Sequence, residues 1–418
     1  MTLRLGFVGG GFMTAFHLRA LRQVRGADVV GLCSRTRPDA LAKYVADNDL
    51  GPGRVFESVR EMAANVDAVA ICAPNFARIE CLEELVQAVR DGAGLRAVLC
   101  EKPLARNLAE ARRMVELIES VGLAGIYLEN QLHMNSVTAV RAQLEPVARA
   151  MGAPVLARAA EEHSGPHAGW FWDPVQQGGG VLSDMGCHAI ALGWFALTPP
   201  GEGVRFLRPV SVQADTSLLK WGEGRWRDEL LDRFGVDYDA TPAEDFATGL
   251  VTYHNPRTDA LVKGQFTVSW MYDKQGLRLT LDGIGPGYAF EQNSLRTGVE
   301  VFVGDGAAKS VADAELALEK STASRGLLAV EPNEPDLYGY TDQWVDALAA
   351  LRGDRPPLLD FAYGVEIVRV CMAAYLSAER GSTVDLTDEA TLSELETYVP
   401  LIQQGAGRSV LMPGRRDG

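Results

Sequence analysis

Short apolar segments alternate with amphipathic segments along residues 1–130 of the chain. The apolar segments predict strands, and the segments between them place apolar residues at helical spacing. The predicted strands are Leu3–Val8, Val29–Cys33, Ala68–Cys72, Ala97–Cys100 and Ala124–Leu128, with helices at 76–90 and 108–121 among the connections. This β–α alternation predicts an α/β domain in which helices cover both faces of a doubly wound parallel sheet.

The pattern changes after His133. The elements predicted there are a helix at 136–150, a strand at 155–161, an aromatic loop at 163–177, strands at 210–214, 247–253, 260–269 and 277–281, and helices at 340–351 and 365–380. Successive extended segments predict a large, open, mostly antiparallel sheet, so residues 131–404 are predicted to form a C-terminal α+β domain. Residues 219–243 look like an insertion between two of its strands. The polar, glycine-rich tail 405–418 is expected to be mobile.

Composition narrows the class of protein. A chain of 418 residues with 47% hydrophobic and 23% charged residues suits two globular domains. Its formal charge of −15 argues against nucleic acid or anionic membrane as a partner. The six cysteines are scattered and form no Cys-x-x-Cys pair, which predicts reduced thiols. Neither a signal-peptide pattern nor an uninterrupted apolar run of about 18 residues is seen, so a cytoplasmic location is expected.

A glycine-rich turn follows the first predicted strand. Gly9 and Gly11 occupy the first two positions of the Gly-x-Gly-x-x-Gly dinucleotide fingerprint, and Thr14 stands in the third. Such a turn lets a phosphate approach a helix N-terminus. We therefore predict a cofactor site that includes Gly9, Gly11, Phe12 and Met13. A glycine turn without a ligand is the alternative.

The end of the second strand bears on the choice of cofactor. It reads Cys33-Ser34-Arg35-Thr36-Arg37, without the carboxylate that would bind the ribose 2′-hydroxyl of NAD. Ser34, Arg35 and Arg37 suit a phosphate monoester, which favours NADP over NAD. The alternative is that both arginines are solvated loop residues and that the protein uses NAD.

Two further motifs contain residue types suited to oxidising an alcohol. The fourth long strand ends in Cys100-Glu101-Lys102-Pro103-Leu104, where ligands of doubly wound sheets bind. Three glycines, Gly178-Gly179-Gly180, lead into Asp184 and His188, whose i, i+4 spacing puts them on one helix face. A base must remove the hydroxyl proton, and these side chains can supply it. The alternatives are a surface lysine, a capping aspartate and a packed core histidine.

In this order and spacing, the motifs resemble the glucose-fructose oxidoreductase, inositol dehydrogenase and MocA (Gfo/Idh/MocA) family from Arg4 to about Leu386. The resemblance implies an N-terminal Rossmann domain and catalysis by Lys102, Asp184 and His188. It also implies that Ala73, Pro74 and Asn75 contact the dinucleotide and that Glu101 lies near the nicotinamide ribose, beside Lys102. Ala191 departs from the acid of many relatives. Glu244-Asp245 and Ser269-Trp270 match family positions and are interpreted as structural.

The segment 161–173 combines aromatic rings, which stack on sugar faces, with imidazoles and carboxylates that bind hydroxyls. It resembles a segment of relatives associated with glycosides. The predicted substrate-binding residues are Lys102, Glu129, His133, His163, His167, Trp170, Trp172, Asp184 and His188. Glu129, Asn130 and His133 could equally be hinge residues. A metal site of His163, His167 and Asp173 is the other alternative, but the spacing fits no tight ligand motif and no metal is predicted.

The leading hypothesis is an NAD(P)-dependent oxidoreductase that transfers a hydride between nicotinamide and a secondary hydroxyl or ketone of a sugar, polyol or glycoside. One alternative is a glycosidase that retains its nicotinamide and acts by transient oxidation and elimination. Another is a non-catalytic dinucleotide-binding regulator, which is least favoured because all three catalytic residue types are present. A homodimer or homotetramer is expected, because strands such as 260–268 are apolar enough to pack against another subunit.

Overall fold

The computed structural model describes residues 2–274, 276–295, 300–303, 326–329 and 333–412. They fall into two compact units, of which the first comprises residues 1–138 and 333–368 and the second residues 139–332 and 369–418. Residues 333–368 were predicted to lie in the second domain, whereas they belong to the first unit.

Most of the observed strands and helices agree with those predicted from the sequence. The strands are β1 (Leu3–Val8), β2 (Ala27–Cys33), β3 (Arg54–Val55), β4 (Ala68–Ile71), β5 (Ala97–Glu101), β6 (Ala124–Leu128), β7 (Leu156–Glu162), β8 (Arg208–Ser217), β9 (Phe246–Asn255), β10 (Ala260–Ser269), β11 (Arg278–Gly285), β12 (Tyr288–Asn293), β13 (Glu300–Val303), β14 (Gly326–Ala329) and β15 (Val384–Asp385). The helices are α1 (Phe12–Leu21), α2 (Asp39–Asp47), α3 (Val59–Ala63), α4 (Arg78–Arg90), α5 (Leu108–Glu119), α6 (Asn135–Met151), α7 (Gly169–Trp172), α8 (Pro174–Gln177), α9 (Cys187–Leu197), α10 (Gly224–Phe234), α11 (Glu334–Leu337), α12 (Tyr340–Arg352), α13 (Phe361–Arg380), α14 (Glu389–Leu395) and α15 (Gly407–Leu411).

The first unit is built on a six-stranded parallel sheet of order β3-β2-β1-β4-β5-β6. This order confirms the predicted doubly wound Rossmann sheet. The order in which successive strands are added to the sheet reverses between β1 and β4. Ligands of such sheets bind at that point, outside the carboxyl ends of the strands. Every residue of β4 and β5 is buried, as expected for strands covered on both faces. The two-residue strand β3 was not predicted because it is too short to show a period.

Helix α12 joins the first unit because its aromatic residues pack against the Rossmann core. Trp344 is fully buried, with its ring centroid 5.7 Å from that of Phe7 and 5.6 Å from that of His17. Tyr340 meets Phe16 edge-on at 4.8 Å. Since these partners lie more than 300 positions away in the chain, the local sequence pattern could not reveal them.

The second unit contains a seven-stranded sheet of order β12-β11-β7-β10-β9-β8-β15. Its pairs are antiparallel except for β7 with β10, which confirms the predicted mostly antiparallel sheet. In β10 the apolar Val262, Phe266 and Val268 are buried on the side that α9 covers. Leu261 and Gln265 are exposed on the other face. The apolar side of β10 therefore packs inside its own unit, which corrects the stated reason for expecting a partner subunit there.

The insertion 219–243 contains α10, and the chain after residue 404 packs against it. Arg408 donates a hydrogen bond to the carbonyl of Asp239 at 2.8 Å, and Gly407 lies against the carbonyl of Pro242 so closely that a Cβ has no room. Residues 405–412 are thus held in place, which corrects the expectation of a mobile tail for this part. Residues 413–418 lie outside the described residues.

Two helical stretches, at residues 174–197 and 361–380, are long and apolar enough to cross a membrane. The apolar windows of the two stretches are 94% and 78% buried within the protein. Burial of this extent is typical of core helices, which pass the same test of length and composition.

Candidate functional site

The glycine turn after β1 has the geometry of a phosphate site. Gly9 has φ +120°, and a Cβ there would lie 2.8 Å from the carbonyl of Cys72. Thr14 is fully buried and donates a hydrogen bond to the Gly9 carbonyl at 2.7 Å, so it closes the turn where the fingerprint has its third glycine. Gly11 caps α1 without a side-chain hydrogen bond, and no described atom lies within 4 Å of where its Cβ would be. The turn therefore fits a dinucleotide pyrophosphate at the start of α1.

The two arginines after β2 differ in their surroundings. Arg37 is 60% exposed and forms ion pairs with Asp39 at 2.9 Å and Glu57 at 3.2 Å. The guanidinium of Arg35 instead lies 5.5 Å from the ring centroid of Phe76. Since two carboxylates partly neutralise Arg37, Arg35 is the better placed of the two to bind an anion.

A buried hydrogen-bond chain fixes Glu101 at the carboxyl end of β5. The indole N–H of Trp344 donates to Nδ1 of His17 at 3.0 Å, and Nε2 of His17 lies 2.8 Å from Oε1 of Glu101. Because an indole only donates, Nδ1 must accept, and Nε2 therefore carries the proton that Glu101 binds. The other oxygen of Glu101 accepts the backbone N–H of Lys102 at 3.1 Å.

These contacts also determine the charge of Glu101. Burial acts to raise the pKa of this carboxyl, but the hydrogen bond from His17 and the positive charges of Lys102 and Arg78 hold it below its ordinary value. Glu101 is therefore an ionised, oriented acceptor immediately before Lys102, whose side chain is half-buried.

Arg78, at the start of α4, fixes the backbone of the same segment. Arg78 is 4% exposed, and its guanidinium donates to the carbonyls of Glu101 at 2.6 Å, Lys102 at 3.1 Å and Pro103. Its Nε donates to the carbonyl of Ala73 at 3.0 Å. Arg78 thus joins the ends of β4 and β5, where Pro74 and the buried Asn75 follow Ala73. The Lys102–Pro103 peptide bond is cis.

Glu129, Asn130 and His133 lie in the packed interior of the first unit. The Asn130 amide donates to the carbonyl of Tyr338 at 2.7 Å, and Glu129 accepts a backbone N–H within the same turn at 3.2 Å. Burial lowers the pKa of His133 to about 4, although Asp346 and Glu129 act in the opposite direction. His133 is therefore neutral at physiological pH, and the turn resembles a structural element more than an open binding surface.

Asp184 and His188 lie together in the second unit, and each is 4% exposed. Asp184 belongs to the π-helical turn Leu182–Gly186, and His188 lies in the first turn of α9, which follows directly. π-Helical turns of this kind occur frequently at functional sites. Asp184 accepts a hydrogen bond from the indole of Trp270 at 3.3 Å. Lys102, the third predicted catalytic residue, belongs to the first unit.

The glycines before Asp184 are required by Glu244 and Tyr375. The fully buried Glu244 carboxyl accepts the backbone N–H groups of Gly180 and Leu182, each at 3.0 Å, and the Tyr375 hydroxyl at 2.6 Å. A Cβ on Gly180 would collide with Glu244, and one on Gly179 would collide with the Tyr375 hydroxyl. Burial raises the pKa of Glu244 to about 7, even though these hydrogen bonds act to lower it.

The aromatic segment contains both half-exposed and buried rings. Trp170 stacks on Phe171 at 3.8 Å, and His167 lies 5.9 Å from the same ring, all three being half-exposed. Trp172 is 1% exposed, and its indole donates to the carbonyl of Pro166 at 3.1 Å. Its ring is enclosed by other aromatic side chains of the unit, which corrects the expectation that it presents a face to a sugar.

The metal alternative in this segment is not supported. Nδ1 of His163 accepts the backbone N–H of Gly165 at 2.9 Å, and Asp173 caps α8 through the N–H of Val175 at 2.9 Å. Across the described part of the chain, no group of three or more His, Cys, Asp or Glu side chains is arranged to hold a metal ion.

The six-stranded parallel sheet and the Gly9 turn are typical of a Rossmann domain that binds a dinucleotide. Two models of one family match the chain, "Oxidoreductase family, NAD-binding Rossmann fold" over residues 3–128 and "GFO/IDH/MocA C-terminal domain" over residues 139–284. The chain belongs to the Gfo/Idh/MocA oxidoreductase family.

Named relatives agree with this assignment. The 1,5-anhydro-D-fructose reductase of Ensifer adhaerens is 31% identical over 48% of this chain and 59% of its own length. The D-apiose dehydrogenase of Paraburkholderia graminis is 25% identical over 96% of this chain and 93% of its own. Among solved structures, GenD2 from gentamicin A biosynthesis, in complex with NAD, has a TM-score of 0.72 at 24% identity over 92% of this chain and 96% of its own, which shows the shared fold.

The residues that fix these segments were not among those predicted from the sequence. Arg78 is the one with a readable signal, because a cation in the first turn of a helix opposes the helix dipole and therefore indicates another partner. His17, Trp344 and Tyr375 gave no comparable signal, since a lone polar or aromatic residue in a helix most often belongs to the core.

Proposed function

We propose that this protein is an NAD(P)-dependent dehydrogenase that oxidises a secondary hydroxyl of a sugar, polyol or glycoside, or reduces the corresponding ketone. The observation that carries the proposal is the end of β5, where an ionised Glu101 is oriented by His17 directly before Lys102. Bound nicotinamide dinucleotide would supply the hydride acceptor or donor. Membership of a family whose named relatives are sugar dehydrogenases and reductases supports the substrate class.

The protein side chains would handle the hydroxyl proton. We assign the transfer of this proton to Lys102 and His188, and Asp184 can orient the hydroxyl or the imidazole. The half-exposed rings of Trp170 and Phe171 support a substrate with an apolar C–H face, such as a sugar ring or a cyclic polyol.

The test is nicotinamide absorbance with a panel of sugars, inositols and glycosides. We expect Lys102→Ala and His188→Ala each to lower turnover by roughly two to four orders of magnitude, the usual contribution of an acid–base group. Cofactor affinity, measured by titration, should survive both changes. Turnover by both variants at the wild-type rate would refute the assigned roles.

The same assay separates the alternative functions. Stoichiometric reduction of the cofactor supports the dehydrogenase. Sugar release without net change in the cofactor would assign the protein as a glycosidase instead. A wild type that turns over nothing, together with a Lys102→Ala variant of unchanged ligand binding, would favour the regulator.

We further propose that NADP is preferred and that Arg35 binds its 2′-phosphate. Arg35→Ala should weaken NADP binding by about 1–3 kcal/mol, the size of a hydrogen bond to a charged group, and NAD binding much less. Arg37→Ala is the matched control, because Arg37 is already paired with Asp39 and Glu57 and its loss should affect both cofactors little. Equal weakening of NADP and NAD by Arg35→Ala would remove the residue from the phosphate site.

We also propose a homodimer or homotetramer in the cytoplasm. The uncovered side of the sheet in the second unit supports association, because it exposes Leu261, Leu250 and Ile284 at 59%, 36% and 37%. Light scattering at micromolar concentration tests this directly, and a monomer would contradict it.

A further inference from the structure

We propose that Trp270 is a positioning residue for Asp184, and that the insertion 219–243 holds Trp270 in place. The proposal rests on the proposed function, in which Asp184 orients the reacting hydroxyl or His188. Trp270 was interpreted from the sequence as structural, and residues 219–243 only as an insertion; both are here assigned a role in turnover.

The contact itself is a directed hydrogen bond in a dry environment. The indole N–H of Trp270 donates to Oδ2 of Asp184 at 3.3 Å, with Trp270 fully buried and Asp184 4% exposed. An indole can only donate, so this bond selects an acceptor oxygen of Asp184 and restrains the rotation of its carboxyl group. A charged partner strengthens such a bond.

The backbone of Trp270 is held on both sides, by Asp245 on one side and by the insertion on the other. Its N–H donates to the carbonyl of Asp245 at 2.9 Å, and its carbonyl accepts the indole N–H of Trp221 at 2.7 Å. Trp221 lies near the start of the insertion. The ring of Trp172 meets that of Trp270 edge-on at 4.9 Å and that of Trp221 at 4.8 Å, which fills the space behind them.

The carboxylate of Asp245 anchors the start of the insertion. It accepts the backbone N–H groups of Leu219 at 2.7 Å, Lys220 at 2.8 Å and Trp221 at 2.8 Å, and it is fully buried. The Lys220 ammonium lies 4.5 Å and 4.2 Å from the ring centroids of Trp221 and Trp226, and it pairs with Asp273 at 2.6 Å. A continuous set of contacts therefore runs from the insertion through Trp221 and Trp270 to Asp184.

The experiment replaces indole by phenyl, which keeps an aromatic ring and removes the N–H. We expect Trp270→Phe to lower kcat roughly 10- to 100-fold, because a small misplacement of an orienting group has an effect of this size, with KM changed less than about twofold. Trp194→Phe is the matched control. Trp194 is equally buried in the same unit and packs on Tyr253 at 5.4 Å, and its variant should keep kcat within about twofold.

A double-mutant cycle with Asp184→Ala separates positioning from general damage. If Trp270 acts through Asp184, Trp270→Phe should change kcat less than about twofold once Asp184 is alanine. Trp221→Phe should lower the wild-type kcat in the same direction but by less, since it loosens only the Trp270 carbonyl. Equal effects of Trp270→Phe in both backgrounds, or equal loss of kcat in Trp194→Phe, would overturn the proposal.

Unfolding midpoints in denaturant supply a readout that does not depend on turnover. The shifts in midpoint caused by Trp270→Phe and Asp184→Ala should not add up to the shift in the double variant. The shifts caused by Trp194→Phe and Asp184→Ala should add up. Additive midpoints for both pairs would overturn the positioning contact, whatever the substrate proves to be. A wild type without turnover, combined with a coupled midpoint for Trp270 and Asp184, would refute the proposed function and keep the contact.

Discussion

At the end of β5 and in the glycine segment 178–180 before Asp184, a buried ionisable side chain fixes the backbone. The side chain is a cation in the first region and a carboxyl in the second. At β5, the buried guanidinium of Arg78 binds the carbonyls of three consecutive residues, Glu101 to Pro103. Before Asp184, the buried carboxyl of Glu244 binds the N–H groups of Gly180 and Leu182. In each case a distant, buried ionisable side chain fixes the backbone beside a predicted catalytic residue.

The difference between the two regions lies in what the backbone must offer. Carbonyl oxygens can be gathered by one planar cation with five donors, whatever side chains the segment carries. A carboxyl approaching backbone N–H groups needs space that side chains would fill, and the second region therefore consists of glycines. The Arg78 site is thus insensitive to the identity of its partners, whereas the Glu244 site depends on Gly179 and Gly180.

The largest expected effect comes from removing the cation. Arg78→Met should lower the free energy of unfolding by at least about 3 kcal/mol, because several buried carbonyls lose their donor at about 1–3 kcal/mol each without strict additivity. Cofactor affinity should fall with it, since Lys102 and Glu101 lose their fixed backbone. Urea unfolding and cofactor titration measure the two effects.

Arg90→Met in the same helix is the control for Arg78→Met. Arg90 is exposed, and the free energy of unfolding of its variant should stay within about 0.5 kcal/mol of the wild-type value. Arg78→Lys should lie between Arg78→Met and the wild type, because it keeps the charge but loses the planar set of donors. An unfolding midpoint of Arg78→Met close to that of Arg90→Met would contradict the role of Arg78.

The contrast between the regions also explains what the sequence could predict. Strands such as β1 and β6 were predicted at their observed bounds, because apolar period and turn residues are local signals. Three motifs could be recognised for the same reason: the Gly9–Gly11 turn, the Glu-Lys-Pro run and the Asp184–His188 pair. The sequence could not show which residues these motifs contact, because Arg78 contacts residues more than 20 positions away and Glu244 contacts residues more than 60 positions away.

A second prediction tests the need for glycine directly. Gly180→Ala should destabilise the protein by about 1–3 kcal/mol, the usual effect of overpacking, because its Cβ has no space beside Glu244. It should also lower turnover by displacing the start of the segment that carries Asp184. Thermal unfolding and turnover are the measurements.

Gly193→Ala tests the same change in the interior of α9. No described atom lies within 4 Å of a Cβ at Gly193, so the substitution should stabilise the helix by up to about 1 kcal/mol. The two glycine variants should therefore move the unfolding midpoint in opposite directions. A Gly180→Ala midpoint equal to or above that of the wild type would show that Glu244 yields to the new methyl group.

The smallest effect is a pH dependence of stability that Glu244→Gln should remove. Burial raises the folded-state pKa of Glu244 from its ordinary 4.5 to about 7, so the folded protein binds a proton that the unfolded chain has released. The contribution of Glu244 to the free energy of unfolding is complete below pH 4.5 and is lost as pH rises through about 7. The loss between pH 6 and 8 is about 1 kcal/mol. His133, whose pKa burial lowers to about 4, acts in the opposite direction over the same range. The Glu244 part is therefore measured as the difference in unfolding free energy between the wild type and Glu244→Gln, which should fall as pH rises from 6 to 8. Tyr375→Phe should move the loss to higher pH, because the tyrosine hydroxyl acts to lower the pKa of Glu244. Arg90→Met leaves Glu244 and its partners intact, so the slope in this variant should match that of the wild type. A wild-type slope that is unchanged in Glu244→Gln would place its origin outside the Glu244 site.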